Sequence, residues 1–325
     1  MTGPARPGAA RLLGPLGAGP PRVMIIGASG FLGRHVRDRA TAAGMDVITA
    51  GRSPLPGSRA HCLLDLTADE PAGLAATLAA QAPDVVVNCA GATAGSPDVL
   101  AAANITAVYA LVTAMLESRS RARLVQIGSA AEYGRAEEGV PVTESAPTRP
   151  ASVYGATKLA GTRLTEVGRM AGLDAVVLRV FNVVGAGAPE DGLPGRAAAQ
   201  LRAAIAGGTD VRLGPLDAVR DFVDARDVAD AVFAAATAPA LPHPILNIGS
   251  GHGVASRTLV MELLAVSGYD AAVAEDAPGS ARSAALSWMQ ADITLARQDL
   301  RWRPSRDLKA SVSDLWEASC GATEG

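Results

Sequence analysis

Hydrophobic and polar positions alternate along this chain in two rhythms. Short, unbroken aliphatic runs are each followed by a longer stretch with helical spacing, and the cycle repeats. Val23–Ile26 predicts a first strand and Phe31–Ala43 a first helix, ended by Gly44. Strands follow at Asp46–Ala50 and His61–Leu64, then a helix at Pro71–Ala80, and a strand at Val85-Val86-Val87. Asp98–Glu117 reads as one long helix, Leu124–Ile127 as a strand, Tyr154–Ala171 as a helix and Ala175–Val180 as a strand. Continuous apolar strands separated by helices imply an α/β fold, a doubly wound parallel sheet covered on both faces.

After Phe181 the texture changes. Gly and Pro crowd the segment Gly185–Gly195, and the later elements shorten. Asp227–Thr237 is again helical, Ile245–Ile248 predicts another strand, and the remainder from Ser256 is mostly helix with a break at Pro278-Gly279. There is no internal repeat. The expected organisation is a disordered tail over 1–21, a dinucleotide-binding domain from 22–181 plus 222–251, and a smaller discontinuous lobe from 182–221 plus 252–325. The tail lacks the unbroken apolar run of a signal peptide, because Gly14 and Pro15 interrupt its leucines.

Composition narrows the picture. The chain has 325 residues and is 49% hydrophobic yet only 3% aromatic, so Ala-rich helices must pack on aliphatic strands. A net charge of −3 gives no basic footprint for nucleic acid. No stretch is expected to reach the length of a membrane span. The three cysteines, Cys62, Cys89 and Cys320, have no redox or metal spacing, which fits a reducing cytoplasm. The four histidines are scattered, so no metal site is expected.

The candidate chemistry begins at the first strand. Gly27, Gly30 and Gly33 punctuate the turn between strand and helix, where backbone N–H groups and a positive helix end face a pyrophosphate. Gly27, Ser29, Gly30, Phe31, Leu32 and Gly33 are the candidate cofactor-binding residues of this turn. The second strand ends at Gly51-Arg52-Ser53 with no carboxylate for a ribose hydroxyl. A guanidinium there suits a 2′-phosphate, so Arg52 points to NADP, with NAD possible; a solvated loop arginine is the alternative. Asp65, beside Leu66, is a candidate for the adenine end or a simple turn residue.

Tyr154 and Lys158 stand one helical turn apart on one face. A nearby ammonium favours ionisation of a phenol that otherwise titrates near pKa ~10. Ser129 ends the fifth strand, where doubly wound sheets bind ligands. Ser129, Tyr154 and Lys158 are thus the candidate catalytic residues.

With these motifs in place the chain resembles the extended short-chain dehydrogenase/reductases of the nucleotide-sugar epimerase/dehydratase group, from about Arg22 nearly to the end. The resemblance implies that Ala90 and Gly91, in Asn88-Cys89-Ala90-Gly91, pass beneath the cofactor and that Asn104 lies near the active site. It implies substrate contacts from Ser129, Asn182, Arg220 and Arg282, the two arginines on the diphosphate. Ion pairing with Asp221 or Asp224 is the alternative for Arg220, and a surface position the alternative for Arg282. The 4,6-dehydratases of the group carry an acidic pair where this chain has Ala130 and Ala131, which transfer no proton. Glu132, one position further, is expected to turn away.

The run Leu213–Phe222 is similar to GDP-4-keto-6-deoxymannose reductases and their dehydratase relatives. The implied activity is NAD(P)H-dependent reduction of a nucleotide-diphospho-4-keto-6-deoxyhexose. A 4-epimerase with tightly held NAD, or a non-catalytic dinucleotide-binding regulator, are the alternatives. The resemblance also implies a homodimer through Asp98–Glu117 and Tyr154–Ala171, with Leu111, Met115, Leu159 and Leu164 as interface or core.

Overall fold

A computed structural model of the chain describes residues 20–207, 210–270, 272–278 and 286–321. Nearly all of the expected tail, and Arg282 with it, lie outside the described residues. In chain order the elements are β1 Arg22–Ile26, α1 Phe31–Ala42, β2 Asp46–Gly51, β3 His61–Leu63, α2 Pro71–Gln81, β4 Val85–Asn88 and α3 Pro97–Ala101. Next come α4 Ala107–Glu117, β5 Arg123–Ser129, α5 Val153–Met170, β6 Ala175–Val180, β7 Asn182–Val184, α6 Leu193–Gly207 and β8 Val211–Arg212. The chain then forms β9 Val219–Asp224, α7 Ala225–Thr237, β10 Ile245–Ile248, β11 Gly253–Ala255, α8 Ser256–Ser267 and β12 Val273–Ala274. It ends with β13 Trp288–Met289, α9 Thr294–Leu300 and α10 Leu308–Gly321.

β1 to β6 and β10 form one parallel seven-stranded sheet in the order β3-β2-β1-β4-β5-β6-β10. Side chains alternate across it. Val23, Ile25, Val85, Val87, Val125 and Ile127 enter one core, while Met24, Ile26, Val86 and Leu124 enter the other. A strand period of two delivers each aliphatic run to both layers, which is why these runs carry no polar face. α1 and α7 cover the first face, and α2 and α4 cover the second. Alanines of α7 (Ala229, Ala231, Ala235) are buried there, letting the helix lie close to the strands as the aromatic-poor composition requires.

The strand order reverses between β1 and β4, so their C-terminal ends open a crevice. Above it, β9 pairs with β7, β11 and β13, and β8 pairs with β12. Leu201, Leu213, Leu259 and Val312 form a separate core beneath these short strands.

Two expectations need correction, and one alternative is resolved. The long helix is interrupted by a π turn at Ala102–Thr106, joining α3 to α4. The same segment, Pro97–Glu117, is 21 residues long and contains an 18-residue window of mean hydropathy 1.9, long and apolar enough to cross a membrane by those criteria. Half of it is buried within the protein, against α2 and α5, and it serves as a core helix. Leu111 and Met115 are each only 1% exposed inside that core, so neither can meet a second copy. Tyr109, Leu116, Val153, Val167 and Met170 are the large apolar side chains exposed on α4 and α5.

Candidate active site

The glycine turn is built by close approach. Gly27 adopts φ +77° and donates its N–H to Ala50 O at 3.0 Å. A Cβ there would lie 2.8 Å from Ala90 N, so β1 could not run beside the β4 loop. At Gly33 a Cβ would fall 2.0 Å from Gly27 O, and the bare Cα lets α1 rest on the turn. Gly30 is the N-cap of α1, and no side chain caps it; the first turn of the helix contains no acid. The leading N–H groups and the positive helix end are therefore left for an anion. This cradle fits the pyrophosphate of a dinucleotide.

A cleft of about 740 Å³ runs from this turn across the sheet's C-terminal edge. Gly30, Phe31 and Leu32 line one end together with Ala90 and Gly91. Ser129, Tyr154 and Lys158 line the middle, and Asn182 and Arg220 the far side. The structure thus brings the hydroxyl, phenol and ammonium into one concavity.

Local chemistry explains their placement. Ser152 caps α5 by accepting the Gly155 N–H at 3.2 Å, which puts Tyr154 in the first turn. A Cβ on Gly155 would sit 2.5 Å from Ala131 O, so glycine lets the helix start press against the end of β5 beside Ser129. Gly161 does the same against the π turn, where a Cβ would lie 2.7 Å from Asn104 O. The buried Lys158 Nζ donates to Ile127 O at 2.6 Å. Burial pulls this ammonium below the ordinary lysine pKa, while the Glu132 carboxylate pulls it back up. Burial drives the Cys89 thiol the other way, to about 12, leaving it protonated at neutral pH.

Asn104 sits in the π turn, a geometry frequent at functional sites. It lines the cleft, but its amide serves the protein. Its Oδ1 accepts from Ala92 N at 3.1 Å, and its Nδ2 donates to Ala92 O at 2.9 Å and Thr157 Oγ1 at 3.1 Å. The side chain clamps the β4 loop onto α5.

Other expected residues stand apart from the lining. Gly27 and Gly33 shape the turn without facing the cleft, and Ser29 is exposed beside it. Arg52 is exposed past the end of β2. Asp65 behaves as a turn residue, accepting from Thr67 N at 2.9 Å and Thr67 Oγ1 at 2.6 Å, which hold its carboxyl below the usual range. Leu66 is 6% exposed and packs with Met24 and Ile26, so its side chain belongs to the core and not to a cofactor surface. Asp221 and Asp224 turn their carboxylates to Ser250 and to Arg226, away from the ion pair weighed for Arg220. Arg220 donates instead to Val219 O and Leu286 O.

Residues that sequence reasoning passed over also line the cleft, among them Thr93 and Arg196. Arg196 had a legible signal: a cation near the start of α6 sits at the unfavourable end of the helix dipole.

A crevice at the strand-order reversal, with a glycine cradle and a Ser/Tyr/Lys set, defines a nicotinamide-dependent oxidoreductase, and comparison with known proteins agrees. The model of the NAD dependent epimerase/dehydratase family matches residues 23–249, and the chain belongs to that family. It is 40% identical over 314 residues to the dTDP-6-deoxy-L-talose 4-dehydrogenase (NAD(P)(+)) of Kitasatospora kifunensis, covering 93% of this chain and 97% of that protein. It is 37% identical over 226 residues to the UDP-glucose 4-epimerase of Streptomyces lividans, covering 66% of this chain and 67% of that one. The solved structure of MoeE5 in complex with UDP-glucose and NAD is 27% identical with a TM-score of 0.81, covering 93% of this chain and 100% of that chain. The chain is an NAD(P)-dependent enzyme of the nucleotide-sugar dehydrogenase, reductase and epimerase group.

Proposed function

We propose that the protein is an NAD(P)H-dependent reductase of a nucleotide-diphospho-4-keto-6-deoxyhexose, with dTDP as the nucleotide carrier. The observation that carries this reading is the convergence of Ser129, Tyr154 and Lys158 in the cleft beside the glycine cradle, with no acid facing it at 130 or 131. A bound nicotinamide supplies the hydride for the C4 carbonyl carbon. Tyr154 gives its phenolic proton to the C4 oxygen, and Ser129 donates a hydrogen bond to the same oxygen. Lys158, held by Ile127 O, favours the phenolate left behind and grips the nicotinamide ribose. The likeness to the dTDP-sugar dehydrogenase supports the sugar class and the carrier, in place of GDP.

The seven-stranded sheet holds the dinucleotide, while 182–221 and 252–325 hold the sugar nucleotide through Asn182, Arg220 and Arg282. Arg52 favours NADP over NAD. The enzyme is a cytoplasmic homodimer that pairs through the exposed face of α4 and α5.

Incubation with NADPH and a dTDP-4-keto-6-deoxyhexose should consume the reduced cofactor. Tyr154→Phe should lower turnover about 10²–10⁴-fold while NADPH binding persists. Failure of the wild type to oxidise either NADPH or NADH would sink the reductase reading. The likeness to a UDP-glucose 4-epimerase favours a second reading, in which NAD stays bound and cofactor absorbance shows no net change. Mass spectrometry of the small molecule released on denaturation separates the two: retained NAD points to the epimerase.

A further inference from the structure

Glu132 follows Ser129 by three positions and is fully buried, yet it is no proton donor to the cleft. One oxygen accepts the Ser129 backbone N–H at 2.8 Å. The other accepts Thr162 Oγ1 at 2.8 Å and Arg179 Nε at 2.7 Å. These three partners come from three elements: β5, α5 and β6. Thr162 lies four residues past Lys158 and eight past Tyr154, on the same face of α5. One carboxylate therefore touches both the strand end that carries Ser129 and the helix that carries Tyr154 and Lys158.

The surroundings are shaped to admit that carboxylate. Gly128 pairs with Arg179 across β5 and β6, and a Cβ on Gly128 would lie 2.9 Å from Glu132 Oε1. The Arg179 guanidinium stacks over the Tyr133 ring at 4.6 Å, and Tyr133 Oη donates to Asn247 Oδ1 at 2.7 Å, extending the network to β10. One guanidinium nitrogen, Arg179 Nη2, finds no hydrogen-bond partner among the described residues. A buried ion pair that leaves a donor unsatisfied is a poor device for stability, since well-packed apolar side chains serve as well. Its value here lies in fixing one geometry.

We propose that Glu132 is the positioning residue that sets the Ser129 hydroxyl against the Tyr154 phenol, by tying the end of β5 to α5. The inference rests on the reading above, in which both groups share one carbonyl oxygen. Hydrogen-bonded reacting groups tolerate little displacement, and an error near 1 Å costs on the order of 10²-fold in rate.

Thr162→Val cuts only the tie to α5 and leaves Arg179 paired. It should lower kcat about 10-fold or more, leave the NADPH dissociation constant within about twofold, and shift Ser129 Oγ relative to Tyr154 Oη by about 0.5 Å in a crystal structure. Thr162→Ser restores the hydroxyl and should restore kcat. Glu132→Gln should fall further, about 100-fold; should it fail to fold, the Thr162 pair decides alone. Unchanged kcat and unchanged Ser129–Tyr154 geometry in Thr162→Val would overturn the proposal. So would a parallel loss of turnover and NADPH affinity that Thr162→Ser does not rescue. If the wild type reduces no 4-keto sugar nucleotide, the reductase reading falls, and the crystallographic comparison still decides whether the anchor exists.

Discussion

Along the cofactor wall of the cleft, strands of four to seven residues are buried on both sides, as in β1, β4 and β5. Along the substrate wall, β8, β12 and β13 are two residues each, and loops do most of the lining. The first wall is held by aliphatic layers and a continuous ladder. The second is held by carboxylates that bridge loops. Asp221 alone accepts from Ser250 N, Ser250 Oγ, Gly251 N and Ala291 N, at 2.6, 2.7, 3.0 and 3.1 Å. Glu275 accepts from Leu216 N at 3.1 Å and pairs with Arg257. A constant ligand such as a dinucleotide suits a wall made by packing, whereas a variable sugar suits loops pinned at a few polar points.

The sharpest way to break this contrast is to add a methyl group to the packed wall. Gly33→Ala places a Cβ 2.0 Å from Gly27 O, a backbone atom that cannot swing aside. The expected destabilisation reaches or exceeds the top of the ~1–3 kcal/mol usual for overpacking, with a matching loss of NADPH affinity. Urea unfolding and fluorescence titration measure both. A stable variant that binds NADPH normally would show that α1 does not need to sit on the turn.

The other wall should yield a different signature. Arg220 is buried, and its carbonyl partners at Val219 and Leu286 keep the guanidinium at the cleft. Arg220→Met should raise KM for the sugar nucleotide about 10–100-fold, as expected for one charge-assisted hydrogen bond, with NADPH affinity unchanged. Equal losses for both ligands would mean that Arg220 supports the fold and does not contact the diphosphate. Smaller still is the effect at the exposed Arg52. Arg52→Ser should shift the NADPH:NADH preference about tenfold toward NADH. An unmoved ratio would identify a solvated loop arginine.

The same contrast decides what could be read from the sequence. β6 and β10 begin and end where the sequence places them, because aliphatic residues flank the one polar residue in each, Arg179 and Asn247, both buried. The Ser129–Tyr154–Lys158 set was legible because each residue sits at a strand end or on a helical face. β8, β12 and β13 were not, since two residues carry no period. The π turn was hidden inside an unbroken apolar pattern. For Leu66 and Asp65, proximity to a strand end did not say which way a side chain points: Leu66 packs into the core and Asp65 takes the turn alternative. Glu132 turns inward as the sequence suggested, but its hydrogen-bond partners are 30 and 47 residues away at Thr162 and Arg179, beyond any local signal.

The smallest effect comes from a glycine whose surroundings are empty. Gly207 ends α6 beneath the substrate wall, its φ lies outside the left-handed region, and a Cβ there would meet nothing within 4 Å. Gly207→Ala should therefore stabilise the protein by about 0.4–1 kcal/mol, through a less flexible unfolded chain, and leave kcat and both binding constants unchanged. Measured beside Gly33→Ala, it isolates the cause of any loss. Both substitutions add one methyl group and remove the same backbone freedom, so only the distance to the nearest backbone atom distinguishes them. If Gly207→Ala also destabilised the protein by several kcal/mol, tight packing would not be special to the cofactor wall, and the contrast between the two walls would fail.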